Sequence, residues 1–362
     1  MNSFAMYRLP LSDEYTELIQ TDGEPEELLS CAELSGCSGY VFAPFAPSAH
    51  QPILLIHPNE QHTAKVNTLP LGNENDTVKQ VEIYQNRESY TVDFANFHAQ
   101  LENGFFRKIV LARQSVVEVS HEISSKIFFA RACKLYPRMF IALVNTPQSG
   151  FWLTATPEIL VEGNNKQWHT MALAGTMKLS NSQLTFDNPP SHTPIISEHN
   201  ICWSDKNLRE QRYVATYITE CLEHFTSTFQ EEGPYTTRAG ELVHLRSDFT
   251  FTLSDDSHLG DLLEMLHPTP AVCGLPKDKT SRFILENEAN PRRYYSGFMG
   301  PLNIVGDTHL FVTLRCMQID SCRFTLYAGG GLLAESEESK EWEETEAKME
   351  TMKKTIFYKE TV

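Results

Sequence analysis

MFIALVN (139–145), TPQSG (146–150) and FWLTATPEILVEG (151–163) follow one another without a break. Two runs dense in β-branched, aromatic and aliphatic residues, joined by a Pro/Gly turn, are the pattern of a β-hairpin. The runs on either side extend it. GFFRKIVLAR (104–113) reads as a strand, with Phe106, Lys108, Val110 and Ala112 on one face, and KQWHTMALAGT (166–176) continues the sheet. ELVHLRSDFTFTL (241–253), HLFVTLRCMQI (309–319) and CRFTLYA (322–328) read as further strands, the last running into the triplet Gly329–Gly331. Helices are expected at about Asp205–Phe225 and Ser339–Phe357, with an amphipathic stretch at Val92–Leu101. Strands grouped in hairpins, with helices inserted rather than alternating, predict an α+β fold rather than a doubly wound sheet.

Outward from this centre the signals thin. Residues 1–95 hold the strand-like pieces GYVFAPF, QPILLI and KQVEIYQ, separated by HPNEQHTAKVN and LGNENDT, which read as loops. They form an N-terminal, strand-rich part of the same fold, ahead of a region at 96–360 that carries the chemistry. Residues 178–199, polar and rich in proline, are expected to make a surface excursion.

The 362 residues carry 30 Lys+Arg against 47 Asp+Glu, a net charge of −17, so nucleic acid and anionic lipid are excluded as general partners. An anionic ligand must then be held by a local cluster of cations. No apolar run approaches the roughly 20 residues of a membrane helix, and MNSFAMYRLPLSDEY offers no apolar signal core. A cytoplasmic monomer is the expectation. The eight cysteines form no CxxC pair and have no His partner at zinc spacing, which suits a reducing compartment.

Several side chains could carry chemistry. Lys108 lies inside an apolar strand, where desolvation would favour a neutral amine able to act as a base, although a lysine on an edge strand also serves to block aggregation. Glu158 stands at the entrance of an apolar strand, where burial would suit it to donate a proton. Arg315 is in an equally apolar strand and there needs a carboxylate partner. Glu341, Glu344 and Lys348 share one face of the closing helix, either as an exposed charge pattern or as part of a hard-cation site needing a third acid, for which Glu210 is the candidate.

Nine segments in order, RKIVLAR, TATPEIL, MALAGT, KNLREQRYV, ELVHLRSDF, LHPTPAVCGLPK, RRYYSGFMGPL, LFVTLRCMQ and YAGGGLLAESEESKEWEETEAK, resemble the chorismate-utilising enzymes. That family includes the anthranilate, aminodeoxychorismate, salicylate and isochorismate synthases. The resemblance covers about two thirds of the chain and implies two large antiparallel β-sheets packed face to face with helices outside. HPTPAVCGLP is similar to the isochorismate synthases, and Ala172 and Leu173 stand where lysine-nucleophile members carry lysine. Lys108 agrees, since the water-using members have a lysine there.

The resemblance implies an Mg2+-dependent exchange of the chorismate hydroxyl, with menaquinone as the expected destination and a catechol siderophore as the alternative. Lys108 would deprotonate water attacking C2, and Glu158 would protonate the departing C4 hydroxyl. Glu210, Glu341 and Glu344 match metal-site acids, while Arg315 and Tyr295 match the site of the enolpyruvyl carboxylate. Gly175, Thr176, His244, Ala328, Gly329, Gly330 and Lys348 match substrate-lining positions. The chain departs from the family at Gln211, where histidine is usual, at Asn207, where an acid is common, and at Met177-Lys178, where an arginine is expected. Salicylate formation, or a catalytically dead binding protein on the same fold, are the competing readings.

Overall fold

The computed structural model describes residues 2–73, 76, 78, 81–164, 167–178, 202–253 and 258–359. The expected excursion at 178–199 lies, apart from Lys178, outside them. The strands in chain order are β1 (Ser3–Arg8), β2 (Glu14–Gln20), β3 (Glu26–Leu28), β4 (Gly39–Ala43), β5 (Ile53–Ile56), β6 (Glu60–Lys65) and β7 (Val81–Gln85). Next come β8 (Lys108–Val119), β9 (Phe140–Thr146), β10 (Gly150–Thr156), β11 (Ile159–Asn164) and β12 (Gln167–Lys178). The last are β13 (Phe229–Ala239), β14 (Leu242–Phe251), β15 (Gly274–Leu275), β16 (Phe298–Leu302), β17 (Asp307–Val312), β18 (Cys316–Asp320) and β19 (Arg323–Leu332). Among the described residues six α-helices accompany them: α1 (Arg87–Glu102), α2 (Ser125–Leu135), α3 (Asp205–Glu223), α4 (Leu259–Leu266), α5 (Lys277–Asn287) and α6 (Glu338–Ile356).

Two antiparallel sheets result. One runs β15-β8-β19-β18-β10-β9-β1-β2-β6, with β7 also paired to β8, and the other β13-β14-β12-β11-β17-β16-β4-β5-β3. The β9–β10 hairpin explains why the central sequence is apolar without a break. Phe140, Ala142 and Val144 pack into the layer shared with Tyr40, Phe42 and Phe311 of the second sheet, while Ile141 and Leu143 pack against Phe128 and Phe129 of α2. With both faces covered, alternation of apolar and polar residues has no work to do. The turn closes on Gly150 at φ +68°, and the Ser149 amide donates to Thr146 Oγ1 at 3.0 Å.

The structure divides two runs that read as single strands. FWLTATPEILVEG leaves the first sheet at Thr156 and enters the second at Ile159; HLFVTLRCMQI leaves the second at Val312 and enters the first at Cys316. The two crossings lie side by side, joined by Val312 N–H to Glu158 O at 2.9 Å, Thr154 Oγ1 to Leu314 O at 2.7 Å and Ala155 N–H to Arg315 O at 3.2 Å. Composition alone does not separate the strands on either side, because each crossing is only two or three residues long and mostly buried, with Pro157 and Leu314 partly exposed. HPNEQHTAKVN is also corrected: Glu60–Lys65 is a strand paired along β2, and its polarity reflects a sheet edge that faces water.

A polar network ties five strands of the second sheet, β11, β12, β13, β14 and β17. His169 Nδ1 lies 3.1 Å from Glu162 Oε1 and its Nε2 2.7 Å from Asp248 Oδ1, while His309 Nδ1 lies 3.2 Å from Glu162 Oε2. Arg246 and Tyr235 also donate to Asp248. With a carboxylate at each ring nitrogen, both nitrogens must carry hydrogen, so His169 is an imidazolium. Burial opposes the charge, but the two carboxylates outweigh it and raise the His169 pKa above 6.5. A raised histidine pKa stabilises the fold fully below its unfolded value, and the contribution is lost as pH rises through the folded one. His169→Gln is therefore expected to flatten the decline of melting temperature above about pH 6.5, as read by calorimetry across a pH series; an unchanged slope would remove the network from the account.

Candidate active site

The paired crossings place Glu158 and Arg315 between the sheets, at the wall of one cavity. That cavity is lined by Glu158, Gly175, Thr176, Glu210, His244, Tyr295, Arg315, Ala328, Gly329 and Lys348, all expected from the sequence. Leu173, at the position read against lysine-nucleophile members, lines it as well, as do Val110, Pro157, Val272, Leu314, Tyr327 and Gly331, which the sequence does not assign to the site. Gly331 had a signal in the glycine triplet; Tyr327 had none, since an aromatic residue in a strand ordinarily belongs to a core.

Arg315 does not have the carboxylate partner that its burial demanded. Its guanidinium donates to Ala239 O at 3.1 Å and to His244 Nε2 at 2.5 Å, and no described carboxylate lies within ion-pair distance. Burial pulls its pKa down to about 10, so it remains a cation. His244 is held neutral by burial and by Arg315, its pKa far below the ordinary value. Nδ1–H then faces Gly175 O at 3.2 Å, leaving Nε2 free to accept from Arg315. A buried guanidinium held by neutral acceptors has charge left for an anionic ligand.

Glu158 is buried, and burial pushes its carboxyl up to about 8 against the pull of Lys108, Lys348 and Arg315. It is protonated near neutrality and able to give a proton. Lys108 is fully buried behind the wall, with Nζ 3.1 Å from Glu210 Oε1. Burial pushes the Glu210 carboxyl up, but Lys108, Lys206 and Lys348 outweigh it and keep Glu210 ionised.

The glycine triplet of β19 makes this arrangement possible. A Cβ on Gly331 would stand 2.0 Å from Glu210 Oε1 and 3.0 Å from Lys108 Cε; one on Gly329 would stand 2.8 Å from the Tyr295 hydroxyl. Strand alternation turns Gly330 the other way, where its Cβ would meet Glu341 Oε2 at 3.2 Å. Lys348 bridges α6 to the cavity, donating to Gly329 O at 2.8 Å and pairing with Glu344 Oε1 at 2.7 Å.

Lys108, Gly330, Glu341 and Glu344, also expected from the sequence, do not line the cavity. Among the described residues, no three His, Cys, Asp or Glu side chains gather closely enough to enclose a metal ion. The donors still suit a hard cation that takes one or two carboxylates and fills its shell with water and substrate oxygens. Glu341 Oε2 is buried with no hydrogen-bond partner, and burial together with the neighbouring Glu344 charge raises the Glu341 pKa, a repulsion that a cation would relieve.

Two of the departures from the family pattern have structural roles. Gln211 turns away from the cavity and donates to Ser247 Oγ at 2.8 Å, tying α3 to β14. Asn207 packs on Gly175, where its Cβ and carbonyl oxygen would stand 3.2 and 3.3 Å from any added Cβ.

The chain matches the family described as chorismate binding enzyme over residues 48–357. Among curated proteins it is 34% identical over 202 residues to isochorismate synthase DhbC of Bacillus subtilis, covering 55% of this chain and 49% of that protein. It is 28% identical over 248 residues to isochorismate synthase MenF of Escherichia coli, covering 68% and 55%. The match thus spans about half the length of these relatives. Among solved structures, the 2,3-dihydroxybenzoate-specific isochorismate synthase DhbC of Bacillus anthracis superimposes with a TM-score of 0.78 at 23% identity, covering 98% of this chain and 96% of that one. Menaquinone-specific MenF of Escherichia coli gives 0.78 at 21%, covering 99% and 89%.

Proposed function

The chain belongs to the chorismate-binding enzymes, and from that premise we propose that it is an isochorismate synthase, converting chorismate reversibly to isochorismate. The observation that carries this reading is Arg315, a buried cation held by neutral acceptors, in the same cavity as a glutamic acid that keeps its proton to about pH 8. An anion clamp beside a general acid suits a dicarboxylate that must lose a hydroxyl.

In this proposal Arg315 and Tyr295 bind the enolpyruvyl carboxylate. Burial keeps the Tyr295 phenol protonated, so it serves as a donor. Lys108, once it has lost the ammonium proton it carries when paired with Glu210, accepts the proton of the water that attacks C2, while Glu158 protonates the C4 hydroxyl, which leaves as water. One oxygen is gained and one lost, so the product is an isomer of the substrate. Glu341, Glu344 and Glu210 would hold Mg2+, one or two of them directly and the rest through water, and the ion would supply positive charge for the ring carboxylate.

The purified protein, incubated with chorismate with and without Mg2+ and resolved by chromatography and mass spectrometry, should yield a metal-dependent isomer of unchanged mass. Salicylate with pyruvate would reassign the protein to salicylate formation, and unchanged chorismate would sink the enzyme reading. Menaquinone supply is the proposed destination, and loss of the quinone in a deletion strain, restored by isochorismate, is its test.

A further inference from the structure

The three acids that the proposed function gives to the metal each face a lysine. Lys108 holds Glu210, Lys348 holds Glu344, and Lys206, from the first turn of α3, holds Glu341 Oε1. The lysines are not equally anchored. Lys108 is sealed in the core, and Lys348 is fixed a second time by Gly329 O. Lys206 has its hydrogen bond to Glu341, keeps 22% of its side chain in solvent, and interacts electrostatically with Glu341, Glu210 and Glu344 together. Glu341 is 3% exposed and cannot swing away, whereas a lysine stem at the surface can.

We propose that Lys206 is a resident counter-cation which a divalent cation must displace from Glu341, so that it weakens metal binding in the substrate-free enzyme. The inference rests on the reading that these acids take a divalent cation. Three ammonium groups already neutralise the three carboxylates, so a metal arriving alone adds two uncompensated charges. A substrate with two carboxylates restores the balance. Lys206 therefore makes metal binding depend on the substrate anion, while the site stays neutral and folded without either.

The test is calorimetric titration of MgCl2 into the native protein, Lys206→Gln and Lys206→Arg, with melting curves alongside. Lys206→Gln should bind Mg2+ about tenfold more tightly, on the scale at which groups behind the ligands tune metal affinity. Its metal-free form should melt below the native protein and regain the difference when Mg2+ is added. Lys206→Arg, which keeps the charge, should bind Mg2+ as the native protein does. Equal or weaker Mg2+ binding by Lys206→Gln overturns the inference, as does a raised KM for chorismate with Mg2+ affinity unchanged, which would make Lys206 a substrate ligand. If no form binds Mg2+, with or without chorismate, the metal reading fails and takes the inference with it.

Discussion

Glu158→Gln is expected to lower kcat by about 10²- to 10⁴-fold, the range that a positioned proton donor contributes, with little change in KM. The amide fills the same space and cannot release a proton to the C4 hydroxyl. Because the native carboxyl holds its proton to about pH 8 in the free protein, kcat/KM of the native enzyme should fall as pH rises through that value. The same variant should show an opposite effect on stability. A carboxyl with a raised folded pKa contributes fully below its unfolded pKa of 4.5 and loses that contribution as pH rises through about 8. The glutamine has no such loss, so Glu158→Gln should be the more stable protein in alkaline buffer. Parallel kinetic and melting series over pH test both halves, and a variant that retains turnover would remove Glu158 from the chemistry.

Lys108→Ala is expected to destabilise the protein by about 3–5 kcal/mol, the usual cost of leaving one member of a buried ion pair unpartnered. Lys108 is fully buried and Glu210 Oε1 is 3.1 Å away, so removing the ammonium leaves a carboxylate facing an empty space beside Gly331. Activity should fall by at least ~10²-fold, since the proposed proton acceptor is gone. Lys108→Ala/Glu210→Gln separates the two effects: it should recover much of the stability in urea denaturation while remaining inactive. Equal stability of Lys108→Ala and native protein would show that the pair adds nothing to the fold.

Much of this site is legible in the sequence because its charged residues sit where charge is out of place. Lys108 in KIVLAR, Glu158 in TPEILV and Arg315 in VTLRCMQ interrupt apolar strands, and each is buried in the structure. The family motifs extend the reading to His244, Tyr295 and Lys348, which also line the cavity. Depth was harder to read. Lys108 and Glu341 do not line the cavity that Glu210 and Lys348 line, and one-dimensional spacing does not order side chains from front to back.

The architecture was legible to the same degree. Hairpins and apolar density give the α+β class, the family resemblance implies the two packed sheets, and the closing helix falls within a residue of Ser339–Phe357 at either end. The chain's passage from sheet to sheet stayed hidden, because each crossing is only two or three residues long, lies between apolar runs and is mostly buried, so the polar residues in it read as charges within one strand. The edge strand β6 was hidden for the converse reason, being as polar as a loop.

The crossing at Thr313–Arg315 makes one residue answerable to two sheets. A slip of one residue in β18 would move the chain by about 3.4 Å and turn its side chains to the opposite face. Arg315 would then leave His244, which belongs to the other sheet. Under the proposed function, selection for turnover would act as selection for the alignment of both sheets, and substitutions far from the cavity that loosen either register should be purged as though they touched the substrate.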